Sequence, residues 1–225
     1  MLSEAQERKG CKGKGKRYLC QQMNLFEHDE LLRKQYTGPL AGIDEAGRGP
    51  IAGPVVAAAV ILPPDCFIKG LKDSKKLTPA QRENIYQKIK KTAEDVRIAI
   101  IEPEEIDRIN IYQATIKAMT IAVESLSTRP AVLVIDAMKL PLSITQLSFP
   151  HAEDISASVA AASIVAKVTR DRIMAEYDRE YPEYGFSRHK GYATKEHLDC
   201  IRKYGPCPIH RKSYSPVCNI KLPFK

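Results

Sequence analysis

An α/β fold, a mixed sheet flanked by helices, is what this sequence predicts, on three observations. Two apolar runs, residues 40–43 and 54–62, the second rich in Val and Ile, bracket a short glycine-bearing connection, the pattern of two strands joined by a tight turn. A third run, 131–135, is apolar without a break and ends on Asp136, as a fully buried strand of a parallel sheet does. Between such runs, apolar residues recur at helical spacing. The 225 residues, 44% hydrophobic and 28% charged, suit one core and exclude collagen-like and disordered chains. The longest apolar run, 55–62, is far below the roughly 20 residues that a bilayer-spanning helix needs.

The elements follow in order. Residues 1–20 carry Arg8, Lys9, Lys12, Lys14, Lys16 and Arg17 against Glu4 and Glu7, with glycines interleaved, which reads as a mobile basic arm. Residues 21–36 can form a short helix, and Thr37-Gly38-Pro39 breaks it before the first strand. Thr78 and Pro79 open a helix to about Lys91, as N-cap and first helical residue. Residues 96–101 make a third strand, and 111–126 a helix that packs on the sheet. Residues 131–135 and 143–149 are strands four and five. A long helix over 154–177 then follows, its first half rich in small residues that allow close approach to the sheet. The tail, 185–217, mixes one helix (194–204) with loops dense in His, Lys, Arg and Tyr. The organisation expected is a basic N-terminal extension (1–38), a core (39–182) and a C-terminal helical and loop part (183–225).

A net charge of +8 favours a polyanionic partner. The six cysteines form no C-x-x-C pair, which argues against a zinc ribbon or a thioredoxin-like site and for reduced thiols in a cytosolic protein. Residues 1–15 lack the apolar stretch of a signal peptide, so a cytoplasmic location is expected.

Three separate segments present acids where an α/β sheet collects its site residues. Asp44-Glu45 follows the first strand, Asp136 ends the fourth, and Glu153-Asp154 opens the long helix. Singly, each has a plain explanation: turn residues in the first two cases, and in the third a first helical turn, where acids gain about 0.3–1 kcal/mol from the helix dipole. Together they suit a site for two divalent ions about 3.5–4 Å apart, of the kind that activates water against a phosphodiester. Gly47-Arg48-Gly49 lets backbone groups approach a ligand. It is not the dinucleotide fingerprint, because its glycine spacing differs and a strand follows; the Gly13-Lys14-Gly15-Lys16 run likewise lacks P-loop spacing. Basic and aromatic residues cluster at Lys167, Arg170 and Arg172, at Arg188-His189-Lys190-Gly191-Tyr192, and at His210-Arg211-Lys212-Ser213-Tyr214. Such cations and ring faces are what a nucleic-acid groove requires, with Lys167, Arg170, His189, Lys190 and Tyr192 the candidates to line it.

Five segments in one order carry a family resemblance: Gly42-Ile43-Asp44-Glu45-Ala46-Gly47-Arg48-Gly49-Pro50, Asp73-Ser74-Lys75-Lys76-Leu77, Val134-Ile135-Asp136, the 161–171 stretch Ala-Ala-Ser-Ile-Val-Ala-Lys-Val-Thr-Arg-Asp, and His189-Lys190-Gly191-Tyr192-Ala193-Thr194. From about residue 40 to 217 the chain resembles the type 2 ribonucleases H, and within them bacterial ribonuclease HII. The resemblance implies a ribonuclease H-like fold with a five-stranded mixed sheet flanked by helices, residues 39–182 as its catalytic core, and a helical C-terminal extension that completes the substrate groove. It implies an endonuclease, dependent on two Mg²⁺ or Mn²⁺ ions, that cuts RNA in RNA/DNA hybrids and cuts 5′ of a single ribonucleotide in duplex DNA. Asp44, Glu45 and Asp136 are then metal ligands. The fourth acid is Glu153, or Asp154 if the chain shifts locally, because the family usually has Asp after a glycine where this chain has Ala152-Glu153-Asp154; Glu153 is favoured. By the same resemblance Gly47-Arg48-Gly49 reads the ribose 2′-OH, Tyr192 stacks on the following deoxyribose, and Lys75 contacts phosphate. Gln22-Met23-Asn24-Leu25-Phe26 resembles the peptide by which bacterial proteins bind the sliding clamp. A monomer is expected. The rivals are a recombinase- or resolvase-type DNA nuclease of the same fold and a non-catalytic nucleic-acid-binding module.

Overall fold

The computed structural model describes residues 24–219; the basic arm, Cys11, Cys20, Gln22 and Met23 lie outside that range. The expected five-stranded mixed sheet is present. Strands β1 (Leu40–Ala46), β2 (Val55–Ile61) and β3 (Asp95–Ile101) form an antiparallel meander, and β4 (Val132–Asp136) and β5 (Thr145–Phe149) run parallel to β1, in the order β3-β2-β1-β4-β5. The first strand extends past Ile43 and carries both Asp44 and Glu45, so these acids belong to its C-terminal end and not to the turn after it.

The helices are α1 (Leu25–Tyr36), α2 (Pro79–Thr92), α3 (Pro103–Ile109), α4 (Ile111–Glu124), α5 (Ala157–Glu180), α6 (Phe186–His189) and α7 (Lys195–Tyr204). Thr78 caps α2 in a capping box with Gln81, with Pro79 at the first helical position as expected. The long helix begins later than the sequence suggested. Its cap is Ser156, whose hydroxyl accepts the Val159 N–H, and Glu153 and Asp154 sit in a separate 3₁₀ turn, Ala152–Asp154. Short α3 was not anticipated, although Pro103 followed by two glutamates in its first turn is a start signal. On α1, Asp29 reaches across to accept the Ser158 N–H at 2.8 Å, docking that helix on the first turn of α5. Leu25 and Phe26 are half-buried at the start of α1, and the Phe26 ring lies 5.3 Å from that of Phe67. Among the described residues no helix is long and apolar enough to cross a membrane, and Cys66, Cys200, Cys207 and Cys218 are free.

Alternation along β2 builds two cores at once. Val55, Ala57, Ala59 and Ile61 meet Ala114, Ala118, Met119 and Ala122 of α4. Ala58 and Val60 face the other way, toward Ala160, Ala161 and Ile164 of α5 and Ile85 and Ile89 of α2. The small residues of α5 let its first turn come down onto β1 at Gly42, where an added Cβ would lie 2.1 Å from the Ser158 carbonyl carbon. Gly42→Ala therefore cannot be absorbed by a rotamer change. We expect a loss of about 3 kcal/mol and, for a chain of this size, a melting midpoint lower by roughly 6–12 °C. A variant that melts with the wild type would show that the helix can retreat freely.

Candidate active site

The parallel register between β1 and β4 assembles the first half of the site. Ile43 pairs with Ile135, so one residue further on Asp44 and Asp136 stand on adjacent strands, which run about 4.8 Å apart. Both strands end here, and the 3₁₀ turn after β5 delivers Glu153 to the same end of the sheet. Asp44, Glu45 and Asp136 line one open cavity with Gly47, Arg48, Gly49, Lys75, Lys167 and Tyr192. The side-chain carboxylate of Asp44 accepts the Glu45 N–H at 2.8 Å, and that of Asp136 accepts the Ala152 N–H at 3.4 Å. Of the two acids in the turn, Glu153 is buried and takes Lys75 Nζ at 3.2 Å, while Asp154 is exposed and pairs with Lys76. The contact of Lys75 with Glu153 was not visible in the sequence.

The electrostatics are strained in one direction. Burial pushes the Asp44 carboxyl well above its ordinary value, and the charges of Glu45, Glu153 and Asp136 push it further, against the opposing pull of the Glu45 N–H. Burial raises Glu45 as well, partly offset by Arg48, whose Nη1 lies 3.3 Å from Glu45 Oε1. Glu45 Oε2 and Glu153 Oε2 are buried without a hydrogen-bond partner. Unpartnered carboxylate oxygens amid mutual repulsion fit a hard divalent cation of the Mg²⁺ or Mn²⁺ kind, which takes oxygen ligands. Among the described residues no three acid, histidine or cysteine side chains already meet closely enough to hold an ion as they stand; the carboxylates surround the space rather than converge within it.

Two buried arginines hold the glycine loop beside these acids. Arg211, 0% exposed, donates to the carbonyls of Gly47 (2.6 Å), Arg48 (3.0 Å) and Gly53 (2.8 and 3.0 Å). Arg170 donates to Pro54, Ala52 and Lys190, and burial together with the nearby Arg211 charge pulls its guanidinium down to about 10. Arg170 borders the same cavity but is 1% exposed, and its donors are taken by backbone carbonyls, so it braces the wall behind the loop. His189 turns inward too, with Nε2 against the Tyr184 carbonyl (2.8 Å) and Nδ1 accepting the Gly191 N–H (3.3 Å). Lys167 stays on the cavity beside Asp171 at 2.6 Å, and Lys190 is half-buried. Gly47 takes φ +102°, a left-handed conformation that excludes most side chains. The Tyr192 ring, 49% exposed, comes within 3.7 Å of the point where Gly49 would carry a Cβ. The loop and the tyrosine are therefore neighbours across the cavity. Ser74, Lys75 and Lys76 form a 3₁₀ turn fixed by Asp73 as its cap and by a 2.7 Å bond from Ser163 Oγ to Ser74 Oγ.

Behind the tyrosine, His197 and His210 are buried, and burial pushes both down to about 4. His189 stacks on His197, and Tyr184 lies beside His210. Between the unfolded value near 6.5 and about 4, the unfolded chain binds protons that the folded chain refuses. The stability that these histidines preserve is complete above pH 6.5 and is lost as pH falls toward 4. Urea midpoints should drop between pH 7 and pH 5, and drop less in His197→Asn. Equal drops would dissociate the effect from this pair.

Comparisons with known proteins identify the family and the fold. A profile described as Ribonuclease HII matches residues 41–217. The ribonuclease HII of Bacillus cytotoxicus is 52% identical over 195 residues, covering 87% of this chain and 75% of the relative; that of Acetivibrio thermocellus is 58% identical over 177 residues, covering 78% and 69%. Among solved structures, the ribonuclease H2 of Pyrococcus horikoshii OT3 superposes with a TM-score of 0.71 at 29% identity, covering 81% of this chain and 96% of that one. With identity above half across the span that carries the acids, the glycine loop and the tyrosine, this chain belongs to the ribonuclease HII family of endoribonucleases.

Proposed function

We propose that this ribonuclease cuts the RNA strand of RNA/DNA hybrids and cuts on the 5′ side of a single ribonucleotide embedded in duplex DNA, leaving 5′-phosphate and 3′-hydroxyl ends. It acts in the cytoplasm, as a monomer. The observation that carries the reading is the Ile43–Ile135 register, which puts two carboxylates side by side at the mouth of a cavity also lined by a glycine loop. Asp44, Glu45, Asp136 and Glu153 are the residues to hold two Mg²⁺ or Mn²⁺ ions. When bound, such ions supply Lewis-acid activation of water and stabilise the departing oxygen. The residues of the chain do the rest. Lys75 pairs with Glu153 at 3.2 Å, and Lys75, Lys167 and Lys190 would give phosphate its counter-charge. The exposed backbone of Gly47-Arg48-Gly49 hydrogen-bonds to the 2′-OH, the group that separates RNA from DNA. Tyr192 offers its ring face to the next sugar.

A duplex carrying one ribonucleotide, with Mg²⁺ present, tests this. A nick on the 5′ side of the ribonucleotide and an intact all-DNA control are expected; equal cutting of the control would make the protein a DNA nuclease. The Gln22–Phe26 peptide is a second proposed contact, with a sliding clamp. Since Leu25 and Phe26 pack against the body of the protein, engagement requires the first turn of α1 to open. Equal retention on immobilised clamp of wild type and a Leu25→Ala, Phe26→Ala double variant would discard it.

A further inference from the structure

The histidine pair behind Tyr192 has its protons fixed by its neighbours, link by link. His197 Nδ1 lies 2.8 Å from the Tyr192 carbonyl, which can only accept, so this nitrogen carries the proton. In a neutral ring Nε2 is then a bare acceptor. It faces His210 Nε2 at 3.0 Å, so His210 must be protonated there. That leaves His210 Nδ1 bare, where it accepts the Cys207 N–H at 3.0 Å, with the Cys207 thiol at 3.1 Å; the Cys207 carbonyl, 3.2 Å away, takes its proton from the His210 backbone N–H instead. A single directed chain results: Cys207 N–H to His210, His210 to His197, His197 to Tyr192. Reversing one ring would set two donors or two acceptors against each other. The rings are also caged, since His197 stacks on His189 at 4.3 Å and meets the edge of Phe186 at 5.4 Å.

The chain ends on backbone that is pinned from several sides. The Tyr192 N–H donates to His189, its carbonyl also accepts the Thr194 N–H, and the neighbouring Gly191 carbonyl accepts the Ile51 N–H from the loop after Gly49. The Tyr192 ring is left free at the cavity while its backbone is held. Neither His197 nor His210 reaches the cavity, and both are buried, which excludes them as proton donors to substrate.

We propose that the Nδ1–H of His197, its tautomer set by His210, is a positioning device that holds Tyr192 against Gly49 and so sets how strongly the enzyme prefers an RNA-to-DNA junction over a uniform RNA strand. This rests on the reading of Tyr192 and the glycine loop given above.

Two measurements test it. The first is made on the wild type: long-range ¹H–¹⁵N correlation of the imidazole nitrogens at pH 7.5 should find His197 protonated at Nδ1 and His210 at Nε2. The opposite tautomer in either ring overturns the relay. The second is the ratio of kcat/KM on the single-ribonucleotide duplex to that on an RNA/DNA hybrid. His197→Asn keeps a donor where Nδ1 was, whereas His197→Gln reaches toward His210 and loses Tyr192. The ratio should fall about tenfold in the Gln variant, roughly the worth of one well-made hydrogen bond, and stay within about twofold of wild type in the Asn variant. A ratio that both variants leave unchanged, or lower equally, overturns the proposal even if wild type cuts as proposed. Wild type that cuts neither substrate would instead sink the proposed function, and this extension with it.

Discussion

Asp44→Asn removes divalent-metal-dependent cleavage by at least about 10³-fold, some 4 kcal/mol of barrier, while duplex binding measured without cleavage is retained. Asp44 is central to the acid group: Glu45, Glu153 and Asp136 all act on its charge. The amide keeps the shape and can still accept the Glu45 N–H at the position of Oδ1, so the loss isolates the negative charge that a cation needs. The same change should raise the melting temperature in metal-free buffer. A carboxyl whose folded pKa lies above its unfolded one costs stability at every pH where it is ionised in the unfolded chain, that is above about 4. Asparagine removes this cost, so the variant should be dead and more stable, as expected where a site is strained for function. Fluorescence anisotropy, product gels and thermal melts check the three parts. Metal-dependent cutting by the variant at even a tenth of the wild-type rate would remove Asp44 from the proposed ligand set.

How much of this was legible in the sequence depends on how local the cause was. The unbroken run ending in Asp136 and the Thr78-Pro79 start are decided within a few residues, and both strand and helix lie where the pattern put them. The start of α5 was misplaced because Glu153-Asp154 mimic first-turn acids, whereas Ser156 is the residue that caps. The pairing of Asp44 with Asp136 could be expected only as a consequence of parallel strands, since the register itself is set by contacts 92 residues apart in the chain, Ile43 with Ile135. Arg170 and Arg211 were illegible for a stronger reason. A guanidinium among lysines and histidines reads as surface, and what buries these two is a set of carbonyls 20 to 164 residues away in the chain.

Those carbonyls give the second large expectation. Arg211→Ala should destabilise the protein by on the order of 4 kcal/mol and abolish selective cutting in whatever fraction stays folded. Truncation takes the donor from the Gly47 and Gly53 carbonyls, and each unsatisfied group costs about 1–3 kcal/mol, while the Arg48 carbonyl loses one of its two donors and keeps the Tyr214 hydroxyl at 3.1 Å. One relief offsets part of the loss, because Arg211 and Arg170 are like charges buried near each other. Arg211→Lys should not rescue, since a single ammonium cannot reproduce a planar fork aimed at three acceptors. The functional part follows from where the carbonyls are: two of the three belong to the Gly47-Arg48-Gly49 loop, whose place beside Glu45 and Tyr192 the guanidinium fixes. Freed, that loop should still admit nucleic acid but no longer register one sugar hydroxyl. The embedded-ribonucleotide substrate should then suffer more than the hybrid, where every position offers a 2′-OH. Urea titration gives the stability change, and the two substrates compared at 10 °C below the variant's midpoint give the selectivity. A variant that loses stability yet keeps the wild-type ratio would separate the arginine's work in the fold from any part in recognition.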